Sequence, residues 1–250
     1  MSLLIVEDLD LWYGEKKVLH GISFELGEGE ILCIVGESGS GKSSILQSVM
    51  GLLPPQARLS GRILFRGTDL TELSEGERRR IRGRDMGMVF QEPSSYLDPL
   101  FTVGSQIEEA YRSHFPEDRS SREKAIEAMR RAGIPRAEEK FGMFPHQLSG
   151  GLKQRVCIAV SIVCQPSLLL ADEPTTALDV SVQKKILQLF RKLREEGKSI
   201  LLVTHDFGVV AEVGDRVIVL KEGRIVEEGD VFRVFDRPSH DYTKLLLEAI

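Results

Sequence analysis

Ile31-Leu32-Cys33-Ile34-Val35-Gly36-Glu37-Ser38-Gly39-Ser40-Gly41-Lys42-Ser43 is the stretch that decides the fold. Its first five residues are an apolar run without alternation, the pattern of a strand covered on both faces in a parallel sheet. The next eight fit the phosphate-loop pattern GxxxxGK[ST]. Gly36, Gly39 and Gly41 permit a tight turn whose backbone N–H groups, with those of Ser38 and Ser40, converge on phosphate oxygens. A helical pattern follows at once, carrying Ile45, Leu46, Val49 and Met50 inward and stopping near Pro54-Pro55. The positive end of that helix therefore faces the anion. Lys42 is expected to neutralise β- and γ-phosphate charge, and the Ser43 hydroxyl to ligate Mg²⁺, with Ser44 beside it in the nucleotide-binding set.

Outward from this segment, two more runs have the same texture: Leu168-Leu169-Leu170-Ala171 and Ile200-Leu201-Leu202-Val203. Each ends in polar residues, Asp172-Glu173 and Thr204-His205, and each is followed by a helical pattern. Strands alternating with helices, with polar chemistry at the strand ends, predict an α/β sheet whose site lies along its carboxyl edge. Val6–Tyr13, Gly21–Leu26 and Met86–Phe90 read as further strands, and Arg216–Leu220 with Ile225–Glu227 as a hairpin turning at Glu222-Gly223. Between about Gln91 and Gln165 the texture changes: 103–114 and 120–132 carry helical spacing, punctuated by Pro116, Pro135 and Pro145. This predicts a mainly helical insertion. The charge-dense run Glu75–Arg84 reads as a solvated helix face.

The strand ends carry chemistry of their own. An acid closing a buried strand can hold Mg²⁺, the role expected of Asp172, while a second carboxylate beside it, Glu173, can act as general base on water. Leu148-Ser149-Gly150-Gly151-Leu152-Lys153-Gln154-Arg155 opens a helix that runs apolar through Val156, Ile158, Ala159, Val160 and Ile162. Ser149 is an N-cap candidate, and a buried helix starting on glycine backbone leaves its N-terminus able to meet an anion. Taken with the phosphate loop, Asp172-Glu173 and His205, this segment resembles the LSGGQ signature of ATP-binding-cassette (ABC) ATPases, with Leu152 where that signature has Gln.

The resemblance implies a P-loop NTPase (RecA-like) core with an antiparallel β subdomain and a mainly helical insertion: core 1–90 and 166–235, helical subdomain 91–165, C-terminal helix 236–250. It implies ATP and Mg²⁺ as ligands, with Tyr13 stacking on adenine and Trp12 the competing candidate. It implies further that Gln91 touches Mg²⁺ or water, that Asp179 links two subunits, and that His205 contacts the γ-phosphate. Ser149, Gly150 and Gly151 would meet the nucleotide of a second subunit. Ala171–Val180, Phe144–Leu148 and Leu97–Gly104 resemble the importer ATPases for peptides and nickel. The implied partners are two membrane permease subunits, a second identical or homologous ATPase subunit, and indirectly an external solute-binding protein. A soluble ABC ATPase acting on DNA, ribosomes or protein complexes would share every catalytic residue and is the alternative reading.

Composition narrows these readings. Apolar residues are 42% of the 250, enough to bury a sizeable core. Thirty-three Lys and Arg stand against 38 Asp and Glu, a net charge of -5, which disfavours nucleic acid as the main partner. No apolar stretch reaches the roughly 18 to 20 residues of a membrane-spanning helix, and Met1–Glu7 has no basic leader. Cys33, Cys157 and Cys164 have no CxxC spacing and read as buried free thiols in a reducing compartment. The expected location is the cytoplasmic face of the membrane, as a peripheral subunit.

Overall fold

The computed structural model describes residues 2–176 and 178–248. They fold into two compact units, one drawn from 1–78 and 193–250, the other from 79–192.

The first unit begins with a long hairpin, β1 (Ser2–Tyr13) and β2 (Lys16–Gly27). β3 (Ile31–Val35) is buried at every position, as its unbroken apolar run requires. α1 (Lys42–Met50) starts at the end of the glycine turn and stops at Gly51, in the left-handed region. β4 (Ala57–Phe65) and β5 (Thr68–Asp69) complete an antiparallel sheet in the order β2-β1-β4-β5. This is the antiparallel β subdomain. α2 (Glu75–Ile81) buries none of its residues, the solvated face that its charges predict.

The second unit contains β6 (Met86–Val89), the short α3 (Pro93–Tyr96), α4 (Val103–Arg112), α5 (Ser121–Arg131), α6 (Ala137–Lys140), α7 (Gly150–Ile162), β7 (Leu168–Asp172) and most of α8 (Val180–Glu195). β6 and β7 pair in parallel, from Met86 against Leu168 to Val89 against Ala171. Helices supply the rest, packed through Val103, Ile107, Ala125, Met129, Val156 and Ile158. A side chain at Gly104 would strike the Phe141 ring at 2.2 Å, so glycine sets the approach of that ring to α4.

The chain then returns to the first unit with β8 (Ser199–Thr204), α9 (Phe207–Val213), β9 (Arg216–Lys221), β10 (Arg224–Asp230), α10 (Val231–Asp236) and α11 (Asp241–Glu248). β3 pairs in parallel with both β8 and β9, and β10 lies antiparallel to β9. The hairpin turns at Glu222 and Gly223, both at positive φ.

The structure departs from the sequence pattern at several points. β2 starts five residues before Gly21, because its first residues pair with Leu11, Trp12 and Tyr13 across the hairpin. β4 is a nine-residue strand whose exposed Ser60, Gly61 and Arg62 break the alternation. Gly61 is needed there: at φ +96 a side chain would meet the carbonyls of Glu7 and Asp8 within 2.6 Å. Finally, Cys164 is only half-buried, whereas Cys33 and Cys157 are buried free thiols.

Candidate functional site

In the first unit the turn from Gly36 to Ser43 is held from several sides. A side chain at Gly36 would meet the Leu220 carbonyl at 2.2 Å, and one at Gly41 the Leu19 side chain at 2.8 Å, so β9 and β2 press the loop into its curve. Gly39 and Gly41 both sit at positive φ, which costs glycine little. Lys42 is 5% exposed, and its ammonium curls back on the loop, donating to the carbonyls of Gly36 at 2.7 Å and Glu37 at 2.9 Å. The Gly223 N–H donates to the Ser40 carbonyl at 2.9 Å, tying the β9–β10 turn to the loop. Among the described residues Ser40 Oγ is buried without a hydrogen-bond partner, an orphaned hydroxyl within the loop. Ser38 and Gly39 are exposed at the tip, and Ser43 and Ser44 are half-buried in the first turn of α1.

Tyr13 and Trp12 end β1 with different surroundings. The Tyr13 hydroxyl donates to Gln47 Oε1 at 3.3 Å and lies 3.4 Å from Ser44 Oγ, so it is placed against α1. Trp12 is flanked by the cations of Lys17 and Arg58, whose charged groups lie 4.8 and 4.4 Å from its ring centre. His205 is exposed at the end of β8, and the next residue, Asp206, caps α9 by accepting from the Gly208 N–H.

The second unit gathers another set. Asp172 closes β7 and is buried. Glu173, the next residue, is a non-glycine at φ +43, a conformation that costs about 1–2 kcal/mol. Its Oε2 accepts from Thr176 Oγ1 at 2.9 Å and from Gln91 Nε2 at 3.3 Å. Gln91 follows β6, which lies beside β7, so the parallel pairing brings the two strand ends and their side chains together. Ser149, Gly150 and Gly151 start α7, with Ser149 and Gly150 exposed. Ser149 occupies the N-cap position, but its side chain makes no cap hydrogen bond; only its carbonyl accepts, from Leu152 and Lys153. The expected side-chain cap is therefore absent, which leaves the hydroxyl uncommitted to the helix end. Asp179 caps α8 instead: its Oδ1 accepts from Ser181 Oγ and the Val182 N–H, and the Ser181 bond first among them holds its carboxyl below the usual range. Ala177, in the same segment, lies outside the described residues.

Two residues without a sequence signal of their own join this set. Thr176 orients Glu173, as above. Gln154, fully buried on α7, donates to the Pro174 carbonyl at 3.0 Å and so ties that helix to the turn after Glu173.

Residues 19–176 match the family model for the ABC transporter. The chain belongs to the ABC transporter family. It is 46% identical over 241 residues to the dipeptide transport ATP-binding protein DppD of Bacillus subtilis (strain 168), covering 95% of this chain and 72% of that protein. The oligopeptide transport ATP-binding protein OppD of the same organism is 45% identical over 256 residues, covering 99% and 72%. Among solved structures, the dimeric post-hydrolysis state of the ATP-binding cassette MJ0796, bound to ADP and Pi, superposes with a TM-score of 0.81 at 33% identity, over 91% of this chain and 98% of that one. The fold is thus the P-loop α/β core of an ABC ATPase with its antiparallel sheet and helical insertion, and ATP is the nucleotide of this cassette. Among the described residues no helix is long and apolar enough to cross a membrane.

Proposed function

We propose that the chain is the ATP-hydrolysing subunit of an ABC importer that takes up short peptides through partner permease subunits. The observation that carries this reading is the likeness, over 95% and 99% of this chain, to dipeptide and oligopeptide transport ATP-binding proteins. In functional terms the proposal keeps 1–90 and 166–235 as the catalytic core, 91–165 as the helical subdomain and 236–250 as a C-terminal element.

The residues fit a nucleotide triphosphate. An orphaned Ser40 hydroxyl lies inside the loop, and Lys42 rests on carbonyls it can leave for phosphate. Gly36, Ser38, Gly39, Ser40, Gly41, Lys42, Ser43 and Ser44 are proposed to hold the phosphates, and Tyr13 the adenine. Ser43, Gln91 and Asp172 offer oxygen donors, the kind a hard divalent cation takes, and would hold Mg²⁺. Mg²⁺ when bound would neutralise charge that develops on the phosphates. Glu173 is proposed as the general base that takes the proton of the attacking water. Its two donors, Thr176 and Gln91, fix the direction of one carboxylate oxygen. His205 is proposed to contact the γ-phosphate, and Ser149, Gly150, Gly151 and Asp179 to act across the interface with a second subunit.

Exposed Tyr96, Leu100 and Phe101 lie within ten residues after Gln91 and support docking of a permease beside this segment. Tyr96 is stacked on Phe90, with ring centres 3.9 Å apart, so a partner pressing on the patch would touch a side chain joined to the end of β6. Through the permease the subunit would lie peripherally on the cytoplasmic face of the membrane. The test is co-expression with candidate permeases: ATP hydrolysis in proteoliposomes should rise with a peptide-loaded external binding protein. No rise with any peptide-binding partner, alongside normal basal hydrolysis, would refute the cargo class.

A further inference from the structure

We propose that Tyr242, on the C-terminal helix α11, is a positioning residue for the phosphate loop, so that α11 sets the affinity for ATP. The inference rests on the reading of Gly36–Ser43 as that loop. The Tyr242 hydroxyl accepts a hydrogen bond from the backbone N–H of Glu37 at 3.3 Å, across 205 residues of sequence. The carbonyl of the same Glu37 accepts from Lys42 Nζ and from the Ser40 N–H. One residue of the loop is therefore gripped at both ends: its carbonyl from within the loop, its amide from α11.

The grip has a rigid base. Tyr242 is buried, with the Lys221 ammonium 4.8 Å over its ring. Its own N–H donates to His240 Nδ1 at 3.0 Å. Upstream of α11, Glu227 on β10 accepts from the Ser239 N–H at 2.7 Å and Oγ at 2.8 Å, and from the His240 N–H at 3.1 Å. A single carboxylate thus fastens the entry to α11 on the strand that follows the β9–β10 turn, and that turn itself holds the Ser40 carbonyl. Two hydrogen bonds therefore reach the loop from outside it, Tyr242 on the Glu37 amide and Gly223 on the Ser40 carbonyl, and add to those that Lys42 and Ser40 make within it. A loop fixed before its ligand arrives loses less entropy on binding. Removing one neutral hydrogen bond of this kind corresponds to roughly a three- to tenfold change in an equilibrium.

The test is Tyr242→Phe, which keeps the ring and deletes the acceptor. Amide exchange at Glu37 should quicken about tenfold, and KM for ATP should rise about three- to tenfold. Turnover at saturating ATP should stay within twofold of the parent. A lower Tm with parent-like exchange and KM would make Tyr242 a packing residue and overturn the proposal, as would a loss confined to kcat. Should that variant not fold, Ser239→Ala tests the same path from its far end, and no change in Glu37 exchange there would count against it. Exchange in the parent with and without ATP separates the two readings. If ATP fails to protect 36–43, the phosphate-loop reading falls, while the exchange rate at Glu37 still reports the Tyr242 contact.

Discussion

Glu173 combines a costly backbone with a two-donor clamp, and the clamp explains why the cost is tolerated. At φ +43 the side chain leaves the strand axis and reaches Gln91 and Thr176; an extended residue would follow β7 onward. Glu173→Gln should bind ATP within about threefold of the parent and lose at least about a hundredfold in kcat, because an amide cannot accept the proton of water. Equal turnover in a single-turnover assay would remove Glu173 from the mechanism. Thr176→Val deletes the shorter of the two donors, worth about 1 kcal/mol, and should lower kcat about fivefold with ATP affinity unchanged. Lys42→Ala is the complementary case. It removes the charge proposed to meet the phosphates, so binding itself should be lost by titration calorimetry.

At the scale of elements, the start of α7 separates two neighbouring glycines. A methyl at Gly150 would meet nothing within 4 Å, whereas one at Gly151 would come within 2.7 Å of Val182 Cγ1, on the stiff β-branched side chain at the start of α8. Gly151→Ala should therefore cost about 1–3 kcal/mol and lower Tm by several degrees, while Gly150→Ala leaves Tm near the parent value. Equal melting of the two would mean that α8 simply gives way. The same elements show what a sequence can and cannot display. β3, β7 and β8 were legible because burial on both faces demands unbroken apolar runs, and the polar residues that end them marked the candidate site. β4 was not singled out, since half of it faces solvent and Gly61 interrupts its pattern. Pairings such as Gln91 with Glu173, 82 residues apart, or Gln154 with Pro174, are set by strand order and helix docking and leave no local trace. The N-cap at Ser149 was legible as a position but not as a bond.

For the whole molecule, two charge effects matter. Glu227 is the first: burial opposes its charged form, but the donors of Ser239 and His240 outweigh that and bring its carboxyl from the ordinary 4.5 down to about 2. A depressed carboxylate stabilises the fold fully above the unfolded value and loses that contribution as pH falls from about 4.5 towards 2, on the order of 3 kcal/mol. Glu227→Gln should be less stable than the parent at pH 7 and approach it near pH 2 in denaturant titrations; a constant gap across that range would show that packing, not charge, anchors α11. The second effect is assembly. Each chain carries a net charge of -5, so two copies repel unless something positive lies between them and the nucleotide. The exposed start of α7 supplies such an end, with backbone amides of Gly150 and Gly151 and an uncapped Ser149 hydroxyl directed to no partner of its own helix. In the proposed sandwich that end meets the triphosphate held by the other copy, and hydrolysis weakens the seam by removing charge. Glu173→Gln, which holds ATP without consuming it, should double its molar mass by light scattering only when ATP and Mg²⁺ are both present. Adding Ser149→Arg should leave ATP binding to the single chain intact and abolish the doubling. A Glu173→Gln chain that binds ATP yet stays single would mean that the opposing α7 belongs to a different ATPase subunit, and mixing with that subunit should then restore the pair.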